Sequence, residues 1–272
     1  MQQETHKTMT RLAVSTTNDY LTLDGEPFFY LADTAWMAFG SLTVDEWARY
    51  LAHRRMQGFN TLQISILPVT HDTSMSDANT DPFLPDANGG WDFSAYNPAY
   101  FDKAEIMVEM AVEAGFLPVL GVLWCCYVPD TRCSKNSPIA SAMPFDAVVP
   151  YATYAAQRFK RFDPAFFVSG DTQFESPDEE RYYMAALQAV KVVCPDALLT
   201  MHLTPNGELS RAFVDAIDFY MYQSGHHVER QDSTLHFGGE VRSLSGQAAR
   251  GQQRTALRRP WPRRQPKPFR RL

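Results

Sequence analysis

The sequence predicts an incomplete α/β barrel of the (β/α)8 type, with about six of its strands present and a small N-terminal β-hairpin. Three observations lead there. First, six short apolar runs punctuate the chain: Pro27–Ala32, Thr61–Leu67, Phe116–Leu123, Ala165–Gly170, Ala197–Leu203 and Ile217–Tyr222. Parallel strands covered on both faces read as continuous apolar runs rather than alternating ones. Second, helix-like stretches separate most of the runs, as successive βα units require. Third, each run ends in a polar or aromatic residue, where α/β barrels place their chemistry.

The elements follow in order. Residues 1–10 lack any periodic pattern and read as disordered. Residues 11–23 read as a hairpin, LAVST then YLTL around Asn18–Asp19, and Asp24–Gly25 gives a second turn signal before PFFYLA. Thr43-x-x-Glu46 is a capping box that opens a helix over Val44–Met56, and Gly58 stops it. Asn97 caps a helix over Pro98–Ala114, with proline in its first turn and Gly115 beyond its end. Further helices are expected over Phe145–Phe162, Pro177–Val193 and, more briefly, Glu208–Val214. Two long connections, Pro68–Asn97 and Cys125–Pro144, follow strands and so belong to the face that carries function.

Composition divides the chain. Residues 241–272 hold nine Arg and one Lys with no Asp or Glu, a net +10, so the first 240 residues must carry −16 to leave the whole at −6. An acidic body disfavours nucleic acid as a partner and suits a neutral ligand. Residues 11–237 therefore read as the barrel and 238–272 as an Arg/Pro-rich tail without helical or strand periodicity. The tail has three readings: a basic arm for an anionic surface, a disordered extension, or an out-of-frame stretch replacing barrel elements. No window resembles a membrane span, and the first twenty residues show no apolar signal core, so a cytoplasmic compartment is the expectation. Cys125, Cys126, Cys133 and Cys194 lack the paired C-x₂₋₄-C spacing of structural zinc sites. Free thiols near a pocket rim are expected, with no metal and no cofactor.

The chemistry-bearing candidates sit at strand ends. Asp171 follows AFFVSG, where Gly170 permits a tight bend, and projects above the rim; the competing role is a turn or helix-capping aspartate. Glu175 lies four residues on, as a substrate contact or a solvated charge at the next helix. Asp33 closes the first run in YLADTAW, either binding substrate or bonding its own loop. Trp36 and Trp124 are candidate sugar platforms, since carbohydrate sites pair carboxylates with flat aromatic faces, though either is equally a core residue. His202 in LLTMHL is a substrate donor or a satisfied structural histidine, and Gln63, Gln223, His226 and His227 are weaker candidates of that kind. There is no phosphate-binding glycine loop, serine elbow or H-E-x-x-H motif.

PFFYLADTAWMAF, the T-x-x-E-capped helix with RRMQGFNTLQ, and FFVSGDTQFES together resemble the apiosidase-like glycoside hydrolases of family 140, earlier domain of unknown function 4038. The resemblance covers about residues 11–236 and departs from the family's usual glycine pair before the catalytic aspartate, here Ser169–Gly170. It implies a (β/α)8 barrel hydrolysing glycosidic bonds of plant-type or other complex polysaccharides. Asp171 would be the general acid, with Asp33 and Trp36 lining the sugar subsite. The family's second carboxylate, a glutamate in an N-G-E-like stretch after a later strand, has no match: Asn206-Gly207-Glu208 follows too early a strand, and Gly238-Gly239-Glu240 falls at the composition break. Glycoside hydrolysis needs two carboxyl groups, so the expectation is a truncated glycosidase with little activity of its own. Two alternatives stand beside it: a carbohydrate-binding barrel without turnover, and a metal-dependent barrel using Asp33, Asp171 and His202.

Overall fold

A computed structural model describes residues 11–69, 81–137, 142–205, 207–221 and 223. At its centre is a five-stranded parallel sheet: β4 (Ala32–Thr34), β5 (Thr61–Ser65), β8 (Leu117–Trp124), β9 (Ala165–Gly170) and β10 (Leu199–Thr200). Its strands lie side by side in chain order, so each βα unit sets its strand beside the one before. Every residue of β5, β8 and β9 is buried, as expected where helices cover one face and barrel-interior side chains fill the other.

The covering helices are α2 (Val44–Met56), α3 (Pro98–Glu113), α5 (Phe145–Phe159) and α6 (Glu179–Val193); short α1 (Ala38–Ser41) and α4 (Arg132–Asn136) sit on loops. The expected capping box forms: the Glu46 amide donates to Thr43 Oγ1 and the Thr43 amide donates to Glu46 Oε2, which satisfies two otherwise orphaned donors. Asn97 caps α3 through the Ala99 amide. Buried tyrosines tie the outer layer to the strand ends. Tyr100 donates to the Ile66 carbonyl at 2.7 Å, Tyr127 to Pro68 at 2.6 Å, and Tyr151 to Val122 at 2.9 Å. Each buried hydroxyl thus has a carbonyl partner, as a buried donor requires.

Several sequence expectations shift. The first run, Pro27–Ala32, is not one strand. Asp24 and Gly25 both take positive φ, 53° and 86°, and this tight turn folds β3 (Glu26–Phe28) back on β2 (Leu21–Leu23), making a three-stranded antiparallel sheet with β1 (Leu12–Val14). Asn60 then straps the segment between the sheets, donating to the Phe29 carbonyl and accepting from the Leu31 amide, and the barrel strand begins only at Ala32. The fifth run narrows to β10 plus single bridges at His202 and Leu203. The sixth forms no strand among the described residues; Met221 bridges His202, and Tyr222 lies outside them. There the Asp218 amide donates to the Leu199 carbonyl at 2.8 Å, while the Leu199 amide is taken by the Asp218 side chain at 2.8 Å and not by a backbone carbonyl. The expected helix over Glu208–Val214 is a single 3₁₀ turn at Arg211–Phe213.

The connection after β5 carries its own hairpin, β6 (Phe83–Pro85) and β7 (Trp91–Tyr96), turned by Asp86, whose Oδ1 accepts from the Asn88 and Gly90 amides. Its aromatic face packs on α5, where Tyr96 stacks on Tyr154 with ring centres 3.9 Å apart and Phe83 meets Tyr151. No helix among the described residues is long and apolar enough to cross a membrane.

Candidate active site

The C-terminal ends of four central strands converge on one cluster. Pairing between β4 and β5 continues past Thr34, with the Ala35 amide on the Gln63 carbonyl and the Ser65 amide on the Trp36 carbonyl, and this carries Trp36 over the sheet. Its indole meets Trp124 edge-to-face at 5.1 Å between ring centres, His202 at 5.2 Å and Phe167 at 5.6 Å. Trp124 and Phe167 in turn lie 5.6 and 5.9 Å from the imidazole. The three Trp36 contacts are T-shaped, a geometry favourable beyond simple burial.

Two glycines make room for these rings. A β-carbon at Gly170 would overlap the Trp124 indole, and one at Gly121 would overlap Phe167. The sharp bend expected at Gly170 occurs instead at Asp171, which adopts φ +50°. For a non-glycine residue that is a costly conformation held by its surroundings, and such residues concentrate at functional positions.

Those surroundings are specific. The Asp171 amide donates to His202 Nδ1 at 3.2 Å, and the same nitrogen lies 3.5 Å from Asp171 Oδ1. Gln223 Nε2 donates to Asp171 Oδ1 at 2.7 Å and to the Leu203 carbonyl at 2.7 Å, so one amide ties the carboxylate to the next strand end. One residue on, Thr172 bridges Leu203 and its hydroxyl donates to Glu179, whose carboxylate also accepts the Ser176 amide at 2.9 Å. Asp171 is therefore gripped on both sides. Burial drives the His202 pKa down, and the neighbouring Asp171 charge offsets this only in part.

The sequence-derived candidates separate into two groups. Asp171, Trp36, Trp124, His202 and Gln223 come together. Trp124 is 2% exposed, so it forms wall rather than open platform, and the less buried Trp36 offers more surface. Gln63 faces the barrel interior lower down, donating to the Tyr30 hydroxyl at 2.9 Å; burial pushes that phenol up to about 12. Asp33 turns the other way, to α2. Its Oδ2 accepts from Tyr50 at 2.6 Å and pairs with the Arg54 guanidinium, so its partners lie on a helix and not among the rings. Glu175 accepts from the Arg132 amide and from Gln173, which fastens α4 to the loop after β9. His226, His227 and Glu240 lie outside the described residues.

Two contributors were not singled out from sequence. Phe167 lies mid-strand in the continuous apolar run AFFVSG, which does not set it apart from its neighbours. Glu179 is 1% exposed, and the spacing Ser176-x-x-Glu179 was its readable signal. The four cysteines form no disulfide; the neighbouring Cys133 and then burial raise the Cys125 thiol above its usual range, and burial and then Cys133 raise that of Cys126. Among the described residues no group of three or more His, Cys, Asp or Glu side chains is arranged to hold a metal ion.

Comparison with known proteins follows the same lines. A family model described as apiosidase-like, catalytic domain, matches residues 15–260, a stretch that runs past the composition break. Among solved structures, a glycoside hydrolase family 5 protein from Bacteroides vulgatus is 20% identical, with a TM-score of 0.62 over 82% of this chain and 46% of its own. A second glycoside hydrolase is 21% identical, with a TM-score of 0.64 over 86% and 53%. A family 5 mannosidase from Rhizomucor miehei, an E301A mutant, is 9% identical, with a TM-score of 0.60 over 87% and 70%. At these identities the likeness is one of fold, the α/β barrel of those hydrolases. The chain spans about half the length of the first two structures. No match was found among curated proteins.

Proposed function

We propose, since this chain belongs to the family of apiosidase-like catalytic domains, that its strand-end cluster is the acid half of a glycosidase site acting on plant-type or other complex polysaccharide or oligosaccharide. Asp171 is the general acid that protonates the leaving glycosidic oxygen. The observation that carries this reading is the left-handed turn at Asp171, clamped by His202 and Gln223 beside the Trp36 ring. A carboxyl group so fixed, held through a histidine that itself packs on Trp36, suits protonation of a sugar-bound oxygen, where proton transfer from a positioned acid contributes about 10²–10⁴-fold.

Hydrolysis also needs a second carboxyl group as base or nucleophile. Glu175 and Asp33 are each engaged by loop or helix partners, and Glu179 is buried behind Thr172. We therefore read the second carboxylate as missing from the described site, and low turnover as the consequence. The non-catalytic alternative, a sugar-binding barrel, makes no demand on Asp171.

The test is release of sugar from plant cell-wall oligosaccharides by the purified chain, with and without formate as an external carboxylate, beside Asp171→Asn. A release that formate raises and Asp171→Asn cuts by about 10²-fold or more supports the acid assignment. Release indifferent to Asp171→Asn sinks it, and sugar binding with no release in either condition favours the binding barrel.

A further inference from the structure

The contact between His202 and Asp171 has a chemical direction. A backbone N–H can only donate, so the Nδ1 atom that receives the Asp171 amide at 3.2 Å carries no proton. A neutral imidazole with a bare Nδ1 carries its hydrogen on Nε2. The ring cannot easily turn to another arrangement, because Trp36, Trp124 and Phe167 pack against it with centres 5.2 to 5.9 Å away. The backbone that donates this bond is the one that pays for an unfavourable conformation, φ +50° at a non-glycine residue.

We infer that His202 is a positioning residue for Asp171: as the Nε2–H tautomer it accepts the Asp171 amide through Nδ1 and so holds the left-handed turn from which the carboxyl group projects. This deepens the glycosidase reading and rests on it for the word acid, although the hold on the turn stands without it. Three further features of the site fit this role. The Ser169 hydroxyl donates to the His202 carbonyl at 3.1 Å, which locks the two strand ends in register. Gln223 holds Oδ1 at 2.7 Å, and His202 Nδ1 lies farther from that oxygen, at 3.5 Å, than from the Asp171 amide, at 3.2 Å. The same tautomer leaves Nε2–H as a donor within the ring cluster, the polarity a sugar hydroxyl would accept.

The experiment uses the full chain labelled with ¹⁵N. In the unmodified protein, the long-range ¹⁵N spectrum of His202 reads which ring nitrogen bears hydrogen, and exchange with deuterium reads protection of the Asp171 amide. Two variants separate hydrogen bonding from packing: His202→Phe keeps a ring among the tryptophans without an acceptor, and His202→Asn restores an acceptor oxygen near the Nδ1 position. The expected result is a bare Nδ1, an Asp171 amide whose protection falls about tenfold in His202→Phe, and recovery of most of it in His202→Asn. Where turnover is measurable, kcat should follow the same order while KM changes little.

A proton found on Nδ1, or an Asp171 amide equally protected in His202→Phe, overturns the inference whatever the turnover. If the spectra and exchange hold while sugar release ignores Asp171→Asn, the acid assignment falls and the positioning of the turn stands. Should His202→Phe fail to fold, the tautomer and amide protection of the unmodified chain still decide the matter.

Discussion

The indole of Trp124 fills the space into which a side chain at Gly170 would grow. The two residues are register partners across β8 and β9, so neither can move without breaking the parallel ladder. Gly170→Ala should destabilise the protein by about 1–3 kcal/mol through overpacking, and should shift Trp124 against Trp36. Urea unfolding followed by tryptophan fluorescence measures both; an unchanged midpoint with an unchanged native spectrum would show that the ring has room.

Asp33 offers a sharper distinction between scaffold and site. Its carboxylate is shared by Tyr50 and Arg54 of α2, and the Tyr50 phenol is pushed up to about 12 by burial and by that bond, so it remains a neutral donor. Asp33→Ala should cost about 1–2 kcal/mol of stability, discounted for the partial exposure of both charged partners. Sugar binding, read by calorimetry at a temperature well below unfolding, should be nearly unaffected. A large loss of binding with intact stability would return Asp33 to the subsite.

The capping box at the start of α2 is a purely local device. Thr43→Ala removes the acceptor for the Glu46 amide and should cost about 1 kcal/mol in chemical denaturation. A control at exposed Glu113, outside any cap, should cost far less.

The buried imidazole predicts a pH effect with a definite sign. The ordinary histidine value is 6.5 and that of His202 lies lower, through burial first, with Asp171 as the charged group facing it. Above about pH 6.5 the folded and unfolded states are both neutral at this residue and it adds no pH dependence. As pH falls through 6.5 the unfolded state takes up the proton and the folded state resists. Stability should then decline by up to about 1.4 kcal/mol per pH unit until the folded value is reached. Urea midpoints at pH 7.5 and 5.5 should show a smaller decline for His202→Asn than for the unmodified chain; equal declines would place the titration elsewhere.

The parallel core was legible because it depends on patterns a few residues long. Thr61–Leu67, Phe116–Leu123 and Ala165–Gly170 announce strands buried on both faces, and Thr43-x-x-Glu46 and Asn97-Pro98 announce helix starts, since a cap and an apolar run act on their own neighbours. Asp171, Trp36 and His202 were visible as strand-end residues for the same reason.

What depends on distant partners was not. Pro27–Ala32 looks like one strand until the Asp24–Gly25 turn and the Asn60 strap divide it, and that strap comes from about thirty residues away. Asp33 and Trp36 stand three apart in one motif, yet one reaches out to a helix and the other lies over the sheet. Side-chain direction at a strand end is set by whichever neighbour the folded chain supplies. The local pattern of apolar and capping residues determines which segments become strands and helices. Only the packed structure decides that the Asp171 amide meets His202, since a hydrogen bond between residues 31 positions apart exists only once two strands lie side by side.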